Sequence, residues 1–330
     1  MNRTSVRAAL VLALLMALPF RAPAPLIYRP GEGWTYEMPG AKGDWRKARA
    51  KDQLDFAQQA FDQKRYGLAL KAAKRLVAMP PYGFGLSDYA AKGQYLIARC
   101  YEARKQDEKA FNAYQALLDR YGKSADVADV QHRQFVIALR FLHGQWFKLW
   151  GYIPFFPSMD KTAGMFEKIV HYGPYGELGP AAQMNVGAAR DKGKDFALAV
   201  AAYELAADRY NDQKQIASEA LYKAALAYNK QARKADYDQS VAGQAIDAFT
   251  EFTSLYPDDP RVADAQRIIA SLKGVEATGS FRTAQYYEKQ KQWSGAVIYY
   301  NEVFLKDPTS PLADQARRRI ELLKQRLTPK

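Results

Sequence analysis

From Trp45 to the end of the chain, apolar residues return every three to four positions, the period of helices with one buried face. No run alternates β-branched and polar residues in the two-residue rhythm of a half-buried strand. A longer pattern is laid over the helical one. A small residue is followed 12 positions later by an alanine, with an aromatic near the turn between them. An aromatic or small residue comes four positions after the alanine, and Pro or Gly closes the copy. The clearest copy runs Ala284, Tyr287, Trp293, Ala296, Tyr300, Val303, Pro308. Others run Ala57, Ala60, Tyr66, Ala69, Ala73, Leu76, Pro81; then Ala98, Tyr101, Asp107, Ala110, Tyr114, Leu117, Gly122; then Gly187, Arg190, Phe196, Ala199, Tyr203, Ala206. Two further copies are stretched, with Ala138 and Phe141 before Ala163, and Ala225 and Tyr228 before Ala245.

The spacing has a mechanical reason. Small residues on facing helices let two axes approach to about 8–10 Å. Aromatics at the turns fill the space to the next pair, and Pro, which has no N–H, ends the second helix. Ser87, Asp88 and Ser310 stand beside these breaks, where they cap the helix that follows. The pattern predicts an all-α protein of tetratricopeptide-repeat type: a right-handed superhelix of about six helical hairpins near residues 48–81, 88–122, 126–174, 178–211, 215–257 and 262–308. A capping helix over 311–327 follows, with Arg317, Arg318, Arg319 and Lys324 on its outer face. Such hairpins line a concave trough with their first helices, a shape suited to an extended peptide or a partner helix. The first-helix positions Leu54, Gln58, Phe61, Tyr95, Arg99, Glu102, Phe135 and Leu142 form the candidate client groove, with Arg99 as the cation for a terminal carboxylate. The same positions also read as packing between hairpins.

The third hairpin is lengthened by an insert contained in residues 144–161, GQWFKLWGYIPFFPSMDK, with Trp146, Phe147, Trp150, Tyr152, Phe155 and Phe156. A stretch so rich in aromatics must bury itself, either back on its own repeats or against a partner or membrane interface. The fifth hairpin gains a polar extension near 234–241, KADYDQSV. At the N-terminus, Arg3 and Arg7 precede the apolar run Ala8–Phe20, too short to span a bilayer, and Ala22-Pro23-Ala24 offers small residues for cleavage. Residues 1–24 read as an export signal, with an uncleaved anchor as the alternative, and residues 25–47, rich in Gly and Pro, as an extended arm. The formal charge of +13 falls by three, to +10, without the signal's Arg3, Arg7 and Arg21, and most of that excess belongs to solvated helix faces.

Little in the chain offers chemistry. His132, His143 and His171 have no helical i,i+4 pairing and no metal-type motif. Cys100, among Ile97, Ala98 and Tyr101, reads as a small buried apolar residue, and a single cysteine leaves no internal disulfide. Gly83-Phe84-Gly85 lies in a helix–helix linker with no preceding strand, unlike a phosphate loop. The reading is a non-catalytic protein-binding chain without cofactor, metal, nucleic acid or small-molecule substrate.

The stretch Asp238–Ser310 holds Asp238-Gln239 before Ala245, the pair Phe249 and Phe252, Tyr256-Pro257, the helix Ala263–Leu272, Tyr286-Tyr287, and Trp293 before Ala296. In these features it resembles the BamD family of outer-membrane β-barrel assembly lipoproteins, well over 181–310 and more loosely over 48–174. The resemblance implies a periplasmic scaffold at the outer membrane. Its partners would be the barrel-inserting outer-membrane protein and the C-terminal segments of unfolded barrel clients. Tyr286, Tyr287, Trp293 and Tyr299 of the last hairpin are the candidate contacts for the inserting partner; Tyr287 and Trp293 also hold repeat-core positions. Two departures accompany the resemblance. The family's lipidated cysteine has no counterpart after the signal, which leaves attachment to partners, the apolar N-terminal run or the aromatic insert, and six hairpins are one more than the family usually has. The alternative is a periplasmic repeat protein of cell-division or peptidoglycan-linked envelope machinery.

Overall fold

The computed structural model describes residues 26–29, 33–36, 45–149, 153–234 and 239–327. The expected signal, residues 1–24, lies outside them. Thirteen α-helices account for most of the described residues, and consecutive helices pack on one another over residues 50–121 and over residues 159–327. This is the all-α tetratricopeptide-repeat fold the pattern predicts. No described helix is long and apolar enough to cross a membrane. The chain divides into two compact units, residues 1–137 with 150–153, and residues 138–149 with 154–330.

The first unit contains α1 (Ala50–Asp62), α2 (Tyr66–Val77), α3 (Ala90–Ala103), α4 (Asp107–Tyr121) and most of α5 (Val127–Leu142). The small residues of the pattern, Ala57, Ala69, Ala98 and Ala110, are all fully buried, as close helix axes require. The arm is a short antiparallel hairpin where described: β1 (Leu26–Arg29) pairs with β2 (Gly33–Tyr36), Tyr28 opposite Trp34.

The second unit contains β3 (Phe147–Leu149) and most of β4 (Ile153–Phe156), then α6 (Met159–Tyr172), α7 (Gly179–Lys192), α8 (Phe196–Arg209), α9 (Lys214–Lys234), α10 (Gln239–Leu255), α11 (Val262–Lys289), α12 (Trp293–Lys306) and α13 (Pro311–Leu327). Ala163, Ala199, Ala225, Ala245, Ala284 and Ala296 are buried completely. In the fourth copy a Cβ on Gly187 would meet the Tyr203 ring at 2.5 Å, so this copy carries glycine where others carry alanine. The helix read at Ala263–Leu272 runs on to Lys289, because Ala277 and Ala284 keep its buried stripe in phase. Of the polar extension, 235–238 lie outside the described residues; Lys234 ends α9.

Some polar positions repeat along with the apolar ones. Four residues before the small residue stands a buried glutamine whose amide donates to a carbonyl on the second helix: Gln53 to Ala72 (3.2 Å), Gln94 to Ala113 (2.8 Å) and Gln183 to Ala202 (3.0 Å). Each holds two helices of a hairpin at a fixed axial offset. In the stretched third copy Gln134 donates back to Gln115 instead (3.1 Å), since the insert displaces the second helix in sequence. The turns are equally uniform. Lys64, Lys105, Lys194 and Lys291 sit seven residues after the small residue, all with φ between 55° and 64°. At Lys64 and Lys291 the residue's N–H reaches a carbonyl three residues back and the next N–H reaches one five back, the hydrogen-bond pair of a left-handed helix stop. Gly144 (φ 104°) fills this role in the third copy. A lysine pays for the left-handed conformation where glycine does not. Lys291→Gly is therefore expected to raise the urea midpoint by an amount worth about 0.5–1 kcal/mol, and Lys291→Val to lower it.

The insert departs from the expectation of helix alone. β3 and β4 form a two-stranded sheet. Phe147-Lys148-Leu149 alternates apolar and polar, and aromatic residues favour strands, a signal too short to register as a strand pattern.

Candidate functional site

A cleft of about 530 Å³ opens on the first unit between α1, α3 and the N-terminal turn of α5. Leu54 and Gln58 of α1 and Tyr95 and Leu96 of α3 face each other across it, and Leu117 of α4 closes the floor. Asp126 and Asp129 stand at the α5 side, Asp55 and Lys92 at the rim. The first helices face the cleft because their small residues are turned inward against the second helices.

Three of the eight groove positions line this cleft, Leu54, Gln58 and Tyr95, and three more continue its wall. The Tyr95 hydroxyl donates to Asp129 (2.7 Å), and the Arg99 guanidinium lies 5.5 Å from the Phe61 ring and 5.9 Å from Tyr95. Glu102 accepts from the Tyr114 hydroxyl (2.8 Å) and from Arg133 (3.4 Å), and Arg99 approaches it at 3.8 Å. Burial alone would raise the Asp129 carboxyl, but hydrogen bonds from Arg133 and Tyr95 outweigh it and hold the group below its ordinary value. Burial, followed by the bond to Glu102, drives the Tyr114 phenol far up, so it stays a donor. Arg99 is thus a shared cation, already facing Glu102 and two rings. Phe135 is half-buried on α5 and does not line the cleft. Leu142 belongs to the second unit and is buried, with its carbonyl accepting from Lys192 (2.7 Å).

The Glu102 arrangement recurs in the second unit. Glu288 accepts from Tyr300 (2.8 Å), 12 residues on, and from Arg319 of the following helix (2.6 Å). Burial and then the Glu288 bond push the Tyr300 phenol up to about 12. Asp191 holds the same position in its own copy and takes Lys230 of the next helix at 2.6 Å. Glu102 is therefore one member of a repeated clasp between a hairpin and the helix after it. The signal was in the sequence: an acid four residues after the small residue, and a tyrosine 12 further on.

Of the aromatic insert, Phe147 is buried and stacked on Phe141 (4.2 Å, 20°), with Lys161 5.0 Å from its ring, whereas Trp146 is exposed. Trp150 and Tyr152 lie outside the described residues, as do the side chains of Phe155 and Phe156, whose backbone forms part of β4. In the last hairpin, Tyr287 stacks on Tyr299 (5.2 Å, 17°), and Arg326 lies 5.1 Å from the Trp293 ring. All three aromatics pack against the core of Ala284, Ala296 and Tyr300, while Tyr286 projects into solvent. Cys100 is buried, and that burial pushes its thiol up to about 11, which leaves it unreactive at neutral pH. His132, His143 and His171 are exposed, and the described residues hold no cluster of His, Cys, Asp and Glu arranged for a metal ion.

No curated protein matches the chain. Similar solved structures include the C-terminal part of a tetratricopeptide-repeat protein from Cytophaga hutchinsonii, with 15% identity and a TM-score of 0.34, over 81% of this chain and 87% of that one. A tetratricopeptide-repeat protein from Parabacteroides merdae shows 9% identity and a TM-score of 0.31, over 83% and 98%. MamA from Desulfovibrio magneticus RS-1 shows 14% and 0.30, over 67% and 99%. These likenesses are weak, and the assignment rests on the family profiles. A tetratricopeptide-repeat profile matches residues 93–124, which hold the α3–α4 hairpin with Tyr95, Arg99 and Glu102. The profile of the outer membrane lipoprotein YfiO matches residues 158–330, more than half the chain and all of α6–α13. The chain belongs to the YfiO family of outer membrane lipoproteins, the BamD family, and is built from tetratricopeptide repeats.

Proposed function

We propose that this protein is a non-catalytic periplasmic scaffold of outer-membrane β-barrel assembly, and that the α1–α3 cleft receives an extended segment of an unfolded barrel client. Family membership supports the setting, and the open cleft lined by Leu54, Tyr95 and Leu96 carries the reading. An extended chain presents side chains on alternate faces, so an aromatic end residue enters between Leu54 and Tyr95 while its neighbours stay solvated. Arg99, about one-third exposed, stands beyond Tyr95 and can exchange Glu102 for a terminal carboxylate. The last hairpin, with Tyr286 outermost of Tyr286, Tyr287, Trp293 and Tyr299, is the proposed contact for the barrel-inserting protein.

The test is calorimetry with two peptides that end in an aromatic residue, one with a free carboxylate and one amidated. Leu54→Ala is expected to weaken both by roughly fivefold to tenfold, and Arg99→Gln to weaken the free-carboxylate peptide alone by about tenfold. Equal binding by parent and variants, or none at millimolar peptide, would sink the cleft as the client site.

A further inference from the structure

The loop between α2 and α3 is an unusual surface for a helix connection. Met79, Tyr82 and Leu86 are 61%, 81% and 49% exposed, while Phe84 between them is 2% exposed. Phe84 packs on Ala50 and Leu76 beneath the Arg75 guanidinium (5.1 Å), and its N–H donates to the Arg75 carbonyl (3.0 Å). Gly83 and Gly85 allow this approach: a Cβ on either would come within 2.2 Å of the Arg75 carbonyl oxygen or 2.9 Å of that of Val77. The loop is thus pinned from below, and the pinning turns three large apolar side chains outward.

Cations surround it. The Phe84 contacts bring together the start of α1 and the end of α2, and α3 begins just after the loop. These three ends carry Lys51, Lys74 and Lys92, all exposed and none in an ion pair among the described residues; the Lys74 ammonium lies 5.8 Å from the Tyr101 ring and that of Lys92 5.9 Å from Tyr89. Nearby acids are Asp52, already held by Arg49 (2.8 Å), the exposed Asp88, and Asp55, which shares the cleft rim with Lys92. The N-terminal part of the chain enters here too. The Trp45 carbonyl accepts from Gln53 (3.1 Å) and the Lys47 carbonyl from Arg75 (2.9 Å), so residues 45–47 lie beside the start of α1 and the end of α2.

We infer that this end of the first unit is a membrane-contact surface for an anionic phospholipid layer. Met79, Tyr82 and Leu86 enter the boundary between headgroups and acyl chains, and Lys51, Lys74 and Lys92 meet the phosphates. An acidic protein would satisfy the lysines but leave the wedge of exposed apolar residues without a use; a lipid interface uses both.

The test places an environment-sensitive NBD dye on Met79→Cys in the full chain, with buried Cys100 left untouched. Vesicles of phosphatidylethanolamine with one-quarter phosphatidylglycerol should shift its emission to the blue, whereas phosphatidylcholine vesicles should not. The same dye on Gln63→Cys, at the far end of α1, should report no change, which separates local contact from attachment through the N-terminal run. The triple change Lys51→Gln, Lys74→Gln, Lys92→Gln should raise the lipid concentration at half-shift by about tenfold or more, and Tyr82→Ser with Leu86→Ser should also raise it. All of these side chains are exposed, so the helical circular dichroism should be retained. An unchanged dye at position 79 on anionic vesicles would overturn the inference. So would an equal shift on phosphatidylcholine, or the same shift with polyglutamate in place of lipid.

Discussion

Phe252→Ala is expected to lower the free energy of unfolding by about 3–5 kcal/mol, the range for deleting a large buried aromatic. Phe252 is fully buried with Phe249, Ala225 and Ala265, and therefore ties α9, α10 and α11 together. Tyr222 lies 5.2 Å from its ring, Tyr256 6.0 Å, and the Arg261 guanidinium 5.5 Å. Truncation removes apolar burial and leaves a cavity bounded by alanines and by rings fixed elsewhere. The Tyr222 hydroxyl is held by Asp264 and the Arg261 guanidinium by Asp259 (2.6 Å), so neither side chain is free to fill the space. Leu305→Ala, at a position 78% exposed, should change stability by no more than about 0.5 kcal/mol. Urea denaturation of both variants against the parent checks the pair. Hydrogen exchange should show the protection lost first in peptides from α10 and α11, because repeats are stabilised mainly by their nearest neighbours. A loss below about 1 kcal/mol at Phe252 would mean that the surrounding helices collapse into the gap.

The fold was legible because its rule is apolar and local. Two small residues 12 apart force close helix axes, and copies with different neighbours, such as Ala57 with Ala69 and Ala284 with Ala296, all show it. The polar half of the repeat was harder to see for a physical reason. Gln94, Glu102 and Lys105 are residue types that usually cover a solvated helix face, and only the structure shows that one is buried against a carbonyl, one clasps a tyrosine and one takes a left-handed turn. Each recurs at the same distance from the small residue in several copies, so aligning those copies on Ala98 and its equivalents exposes all three. The short strands of the insert left no such trace, since three or four residues fall below any periodic signal. The cleft was partly legible. Leu54, Gln58 and Tyr95 follow from which face of the first helix is left open, whereas Leu142 lies buried in the second unit, apart from the cleft, with its carbonyl held by Lys192. The α2–α3 loop reads in the sequence as a plain helix–helix linker. Its glycines serve the approach of Phe84 to α2, which spacing alone does not reveal.

Glu102→Ala is expected to cost about 2 kcal/mol, and Glu102→Gln about half as much. The Tyr114 side chain is fully buried, and its hydroxyl bonds to the Glu102 carboxylate at 2.8 Å. Alanine leaves that hydroxyl in the dark without an acceptor, a loss of about 1–3 kcal/mol, whereas glutamine keeps a carbonyl oxygen in place. Arg133 contributes less, since it is partly solvated and keeps Asp129 at 2.9 Å whatever stands at 102. If the clasp is real, Tyr114→Phe should make Glu102→Ala nearly harmless, with a coupling of about 1–2 kcal/mol in a double-mutant cycle read from urea midpoints. Glu288 and Tyr300 should return the same sign of coupling, as the same two atoms meet at 2.8 Å there. Additive cycles at both sites would show the tyrosine–carboxylate contacts to be energetically idle. The cycle also separates the two roles open to Glu102. As a clasp it fixes the wall of the cleft without touching what lies in it, so Glu102→Gln should leave the affinity for the amidated peptide within about twofold of the parent and should not weaken the free-carboxylate peptide. A larger drop, with the fold intact, would make the carboxylate a direct contact to the client and Arg99 its servant rather than its competitor.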